Sequence, residues 1–265
     1  MPPMKVKLMG GGVDISLPNV SYCEDVKDVH YNPYNTIEFY VGEITGTTPQ
    51  TVKIYTDLTH HEDVTVSEGN KWYSYVLPKD KSLCKIESGT YDSDNYAWSN
   101  GIVTKAVVKA NINYSYDENN DTSNGIVPWE TTEVSFKGSD TSKVTIMNGM
   151  FYDCSGLTSL DVSIFDTSNV TDMGSMFMYC TSLTSLDLSN FNTSNVIDMD
   201  NMFNNCEQLN TLNLSGWVIS SNVTSIQNMF NACLKLSTIT MKGCSQDTIN
   251  KITAVKPSSA KIVTE

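Results

Sequence analysis

The sequence predicts a mixed β and α/β chain. An all-β, sandwich-like domain over residues 1–126 is followed by a short leucine-rich-repeat solenoid with a parallel sheet over 127–265. Two observations predict this. The segment M-x-x-M-F-x-x-C-x-x-L-x-x-L recurs, with Met150, Met176, Met202 and Met229 spaced 26, 26 and 27 residues apart. Cys154, Cys180, Cys206 and Cys233 keep that spacing, as do Leu157, Leu183, Leu209 and Leu236. A fixed period of 20–29 residues around L-x-x-L-x-L marks a solenoid. Upstream, short alternating runs rich in β-branched and aromatic residues are separated by Gly, Pro, Asn and Asp, with no helical period between them.

In the N-terminal half the runs Thr36–Val41, Thr51–Tyr55, Asp63–Ser67 and Lys71–Leu77 read as strands. Ile102–Tyr114 is the longest, with Ile102, Ala106, Val108, Ala110, Ile112 and Tyr114 on one parity. Strands at such spacing suggest a sandwich or barrel. Asp117–Gly125 is polar and turn-forming and reads as a linker. Its D-x-N-x-D start resembles a calcium loop, but Thr122 and Pro128 occupy the places that need Gly and a carboxylate.

Within the array each coil reads as strand, turn and helix. Leu186 and Leu188 turn inward from a short strand by the two-residue period. Met173, Met176, Phe177, Cys180 and Leu183 fall at i, i+3, i+4, i+7 and i+10, which predicts a helical stripe facing the same core. Asp172 and Asp198 then sit near the helix start, where a carboxylate suits the dipole. Val134-Ser135-Phe136 and Asp140-Thr141-Ser142 repeat 26 residues later, so a degenerate first coil extends the array back to Thr131 and brings it to about five coils. Terminal repeats of a solenoid are expected to be atypical. A short helix near Asp247–Val255 and a strand at Ala260–Val263 are placed to close the stack.

Met176–Val196 and its repeats, M-x-x-M-F-x-x-C-x-x-L-T-S-L-D-L-S-x-F-(N/D)-T-S-N-V, resemble the BspA-like leucine-rich-repeat surface proteins of bacteria. The resemblance covers Thr131 to about Cys244 and leaves the N-terminal half untouched. It implies a curved solenoid used for attachment to host molecules or other cells, secreted and anchored at the cell surface.

Composition narrows the function. The formal charge is -13 and all 17 basic residues are lysines. From Val144 to Leu234 there is no Lys, against eight acidic residues. Such a surface repels phosphate backbones and anionic headgroups, so nucleic acid is not an expected partner. No run reaches the ~18–20 apolar residues of a membrane span, so insertion is not expected either. The first residues, MPPMKVKLMGGG, lack an apolar core and a cleavage site for a signal peptide. The expected location is extracellular or at the cell surface if a targeting segment was removed, and otherwise on a virion.

Nothing in the sequence gathers catalytic groups. G-x-S-x-G, H-E-x-x-H and P-loop patterns are absent, and Gly10-Gly11-Gly12 reads as a turn. The histidines, His30, His60 and His61, lie in the N-terminal half, and His60-His61 reads as a solvated turn rather than a metal site. The recurring cysteines sit beside Met and Phe at an inward position, as small buried hydrophobes rather than ligands. No enzyme, metal or cofactor is expected; a third reading, an enzyme in the N-terminal half, would need convergent carboxylates or His60-His61 in a deep pocket.

The candidate binding residues occupy the alternate strand positions. Asp161, Asp187, Asn213 and Thr240 form one column, and Ser159, Ser185 and Thr211 form a second that Thr238 continues. These side chains face outward if Leu160 and Leu186 face inward. The face reads either as plain solvated surface or as a binding surface for a protein or glycan on a host or neighbouring cell. A second functional reading makes the chain a structural protein of a phage or bacterial appendage, its partners being other virion subunits. Phe165, Phe191 and Trp217 also recur and read as a buried corner stack.

Overall fold

A computed structural model describes residues 20–23, 35–45, 47–92, 97–99, 101–115 and 125–265. The linker reading of Asp117–Gly125 falls almost wholly outside the described residues, as do Gly10-Gly11-Gly12 and His30. The described chain is mostly β. Its N-terminal half contains β1 (Val20–Cys23), β2 (Thr36–Val41), β3 (Gln50–Tyr55), β4 (His61–Val66), β5 (Lys71–Val76), β6 (Lys85–Ser88), β7 (Thr90–Asp92), β8 (Ala97–Ser99) and β9 (Val103–Lys109). Five of these were legible as alternating runs, β9 within Ile102–Tyr114 among them; Val52, Ile54, Val64 and Val66 are buried at period two, whereas β2 and β5 bury Thr36, Glu38 and Ser74 besides Ile37, Phe39, Tyr73 and Tyr75. With β10 (Glu133–Ser135) the N-terminal strands form a five-stranded sheet of order β1-β5-β2-β9-β10, a three-stranded sheet β4-β3-β6 and a hairpin β7-β8.

The stack of coils begins on that five-stranded sheet. β10 (Glu133–Ser135) pairs in parallel with β9, matching Val134 to Ala106. Asn111 bridges Asp140 in parallel, and the Ile126 N–H donates to the Met150 carbonyl at 2.7 Å. Buried side chains from Ile37 to Ala260 make one continuous hydrophobic cluster. The solenoid has about six turns. β11 (Ser185–Asp187), β12 (Thr211–Asn213), β13 (Thr238–Thr240) and β14 (Lys261–Val263) form its parallel sheet, with Leu186 opposite Leu212 and Leu212 opposite Ile239.

The predicted helix within each coil is absent. Met173–Leu183 instead runs as successive β-turns: the Met176 N–H donates to the Met173 carbonyl, Met178 to Ser175, Cys180 to Phe177 and Leu183 to Cys180. A β-turn spans i to i+3, as a helical turn nearly does, so the apolar spacing fits both. Two facts decide between them. Ser175 and Tyr179 have φ of 53° and 63°, and Asn201, Asn205, Asp153 and Ala232 repeat the conformation, which an α-helix of L-residues does not accept. The intervening N–H groups also leave the coil: Phe151 donates to Met176, Phe177 to Met202 and Phe203 to Met229 at 2.8–2.9 Å. In a helix those donors would be used internally. Asp172 is correspondingly not a helix-start residue; its Oδ1 accepts the Gly174 N–H, closing a side-chain-capped turn.

The repeating side chains fill the interior as columns. Phe151, Phe177, Phe203 and Phe230 stack with centroids 5.4–5.6 Å apart and planes within 6°. Phe165, Phe191 and Trp217 are buried at the corner, as their recurrence suggests, and the Trp217 indole donates to the Leu188 carbonyl at 3.0 Å. Thr141, Thr167 and Thr193 form a buried polar column that the sequence pattern leaves looking like turn residues. The Thr167 hydroxyl donates to the Asn192 carbonyl at 3.2 Å and accepts the Asn192 N–H at 2.7 Å. Each threonine thereby satisfies two backbone groups of the next coil.

The cap follows expectation. α1 (Gln246–Val255) has Ser245 as its N-cap, accepting the Thr248 N–H, with Asp247 in its first turn. Thr248 accepts the Ile219 N–H, and Ile252 is buried under the last coil. β14 then adds beside β13.

Thr167→Val keeps the shape of the side chain but strands two backbone groups. It is expected to lower stability by ~1–3 kcal/mol, measured by urea unfolding, while Thr167→Ser retains most of the wild-type value. Equal stability of the Val variant would show that water replaces the hydroxyl there.

Candidate functional site

The outward columns come from a simple constraint. A strand with Leu186 inward must turn Ser185 and Asp187 outward, and both are exposed while Leu186 is buried. Parallel register places Ser185 beside Thr211 and Thr238, and Asp187 beside Asn213 and Thr240. Ser159 and Asp161 are exposed one coil earlier, outside the sheet strands. A shallow depression of ≈ 460 Å³ brings Ser159, Asp161, Ser185 and Asp187 together, with Ser189 and Asn190 at its edge. Thr211 continues the serine column in register, exposed, whereas Asn213 and Thr240 are half-buried.

Half of each aspartate is already occupied. Asp161 Oδ1 accepts the Ser163 N–H at 2.9 Å. Asp187 Oδ1 accepts both the N–H and the hydroxyl of Ser189, at 2.9 and 2.7 Å, and Asn213 does the same with Ser215. The hydroxyl and N–H of Ser163 hold the Asp161 carboxyl below the ordinary carboxylate range, and Ser189 does so for Asp187. These residues therefore turn the chain after each strand, and the Asp187 carboxyl also meets the Asn213 side chain of the next coil. The column is at once structural and available.

The other candidates resolve as follows. His60 Nδ1 lies 2.9 Å from Asp57 and His61 Nδ1 lies 3.0 Å from Asp63, in two separate exposed pairs. Among the described residues, no group of three or more His, Cys, Asp or Glu is arranged to hold a metal. Cys154, Cys180, Cys206 and Cys233 are buried. The thiols of Cys180, Cys206 and Cys233 donate to the carbonyls of Phe151, Phe177 and Phe203 one coil back, at 3.0–3.1 Å. Burial pushes the Cys233 thiol up to about 12, and Cys180 and Cys206 well above the ordinary value. Neutral thiols in a dry core neither ligate nor attack.

One pair escaped the sequence pattern. Glu130 and Asp153 lie half-buried where the array joins the N-terminal half, Glu130 packing its carboxyl over Gly101. Desolvation raises Glu130 to about 7, assisted by the charge on Asp153, and raises Asp153 to about 6. Glu130 lies where the repeat is most degenerate, and no local pattern distinguishes it from a surface carboxylate.

This fold defines a class: a β-solenoid repeat protein whose coils stack through parallel backbone pairing. A family model described as "Mycoplasma protein of unknown function, DUF285" matches residues 110–242, half of the chain, and the chain belongs to that family. The match begins upstream of the first legible repeat, in the segment whose Asn111 bridges Asp140. No curated protein matches the chain.

Two measurements follow. Iodoacetamide is expected to leave Cys154, Cys180, Cys206 and Cys233 unmodified in the native protein and to reach the half-buried Cys244 before any of them; labelling of Cys180 at the rate of Cys244 would contradict the columnar core. The carboxyl pair sets a pH dependence. Both folded pKa values lie above the ordinary 4.5 and 3.8, so the folded chain holds protons that the unfolded chain has released. Their contribution is complete below those ordinary values and is lost as pH rises through about 6 and 7. Glu130→Gln is expected to raise Tm at pH 8 and to flatten its decline between pH 5 and 8.

Proposed function

We propose that this chain is a non-enzymatic recognition protein of the BspA-like kind, displayed at a bacterial cell surface and used in adhesion. The solenoid presents its polar sheet face to a protein or glycan. The observation that carries this reading is the depression spanning two coils, where Ser159, Asp161, Ser185 and Asp187 converge and Thr211 extends the row. Small hydroxyl and carboxylate groups repeated at the ~4.8 Å strand spacing suit a ligand with regularly placed hydroxyls or amides. The family match and the near-verbatim repeats at Met176–Val196 support the assignment of kind. The lysine-free, acidic stretch from Val144 to Leu234 argues against anionic partners, nucleic acid among them. On this reading the protein needs no cofactor or metal.

The test is a glycan and protein binding screen with the full chain, followed by the double variant Asp161→Asn, Asp187→Asn. Asparagine keeps the turn-closing oxygen, as Asn213 already does in its own coil, so folding should be unaffected. Loss of a charged hydrogen-bond pair should weaken binding by about tenfold to a hundredfold. Unaltered affinity, with Tm also unaltered, would move the site off this face. Assembly of the chain into a virion with no ligand bound in the screen would favour the structural reading instead.

A further inference from the structure

The stack of turn segments ends differently from the way it runs. In each interior coil the Phe N–H and the N–H two residues later donate to the next coil. Phe151 and Asp153 donate to Met176 and Met178, Phe177 and Tyr179 to Met202 and Asn204, and Phe203 and Asn205 to Met229 and Asn231. The next pair in the series is Phe230 and Ala232. α1 and β14 close the sheet side of the last coil, but the chain passes from Val255 through Pro257 to Ala260 without laying a further turn segment over these two residues. Among the described residues neither N–H meets an acceptor.

The gap is a groove of ≈ 410 Å³ between the last turn segment and the end of the cap, lined by Phe230, Ala232, Leu234, Val255, Lys256 and Pro257. Its apolar part is unusual for this chain. Leu234 is 72% exposed and occupies the position held by Ser155, Thr181 and Glu207 in earlier coils. Its one lining cation is Lys256, whose ammonium donates to the Pro257 and Ala260 carbonyls, and the chain around it is basic. After Leu234 come Lys235, Lys242, Lys251, Lys256 and Lys261 against Asp247 and Glu265, whereas Val144–Leu234 holds no Lys at all. Among the described residues only Lys251 of these five is ion-paired, with Asp247.

We propose that this groove docks a turn segment of the M-x-x-M-F type, acidic in sequence and supplied by another polypeptide, which adds one more layer to the stack. The interface it would make continues the one between every pair of coils. The natural occupant of the corresponding place two coils back is Asp198–Cys206, which carries Asp198 and Asp200 and whose Met202 and Asn204 carbonyls accept from Phe177 and Tyr179. Polarity excludes a second copy docked by the same edge, because this edge offers donors and a symmetric mate would face them with donors. The opposite end of the stack offers no free match either, since the Met150 and Tyr152 carbonyls already accept from Ile126 and Gly125. The occupant must bring unpaired carbonyls at alternate residues and negative charge toward Lys256.

The probe is a synthetic peptide of sequence Asp-Met-Asp-Asn-Met-Phe-Asn-Asn-Ser, added to the full isotopically labelled chain. The amides of Phe230 and Ala232 are expected to shift and to gain protection from hydrogen exchange. A peptide with Lys in place of both Asp should bind more weakly. Leu234→Asp removes an exposed apolar contact without touching the core and should weaken binding by about tenfold. Unchanged exchange at Phe230 and Ala232 under saturating peptide would overturn the proposal. So would equal binding of the two peptides, retained binding in a folded Leu234→Asp variant, or shifts confined to the Ser159–Ser189 face.

Discussion

Every coil of this protein depends on handing its backbone hydrogen bonds to the next. A buried N–H or C=O without a partner costs about as much as a lost hydrogen bond and its desolvation together. A coil of 26 residues cannot satisfy those groups alone, because too little of it is strand and its turns use only alternate amides. The remainder must reach across to a neighbour. That demand fixes the parallel register of β11–β14, keeps the recurring residues in straight columns, and turns Thr167 and Thr193 from turn formers into buried bridges. It also explains why Ser175, Tyr179 and their equivalents tolerate a left-handed backbone at a cost of ~1–3 kcal/mol each. The strained conformation points the next amide at its acceptor.

The core is dictated by the same stacking. With each Phe directly over the last, the columns of Phe, Met, Cys and Leu contact themselves from coil to coil, and burial is complete only inside the stack. Each fully buried side chain of this size contributes ~1.5–3 kcal/mol, so stability grows with neighbours and not within a coil. The ends therefore need separate solutions. At one end β9 and residues 125–127 supply the missing partners. At the other, α1 and β14 complete the sheet and the threonine column, and the phenylalanine column ends at a buried Phe230 whose N–H, like that of Ala232, meets no following coil.

Function is confined to what stacking leaves over. The inward residues are committed, and the thiols, held neutral by burial, are removed from chemistry. The outward Ser, Thr, Asp and Asn lie exposed or half-buried, and one oxygen of Asp161 and of Asp187 closes a turn. A repeat that builds its turns from the same residues it displays produces a regular, chemically uniform face.

Much of this was legible from residues alone. The period, the inward Leu, Met, Phe and Cys, the corner aromatics, the outward columns and the closing helix and strand all follow from spacing, because a stacked repeat forces equivalent residues into equivalent environments. Five N-terminal strands were legible from alternation, although β2 and β5 also bury Thr36, Glu38 and Ser74. The helix reading of Met173–Leu183 was wrong because apolar residues at i, i+3 and i+4 satisfy a run of β-turns as well as a helix. The difference lies in where the N–H groups point, which no side chain records. Glu130 and Asp153 were invisible for a related reason: their shifted protonation comes from what packs over them, Gly101 among it, and that contact joins distant parts of the chain. The sequence by itself determined which residues share a column and which side of the coil they face. Only the tertiary structure decided how the backbone travels between them, because that depends on hydrogen bonds made to the next coil and not within its own.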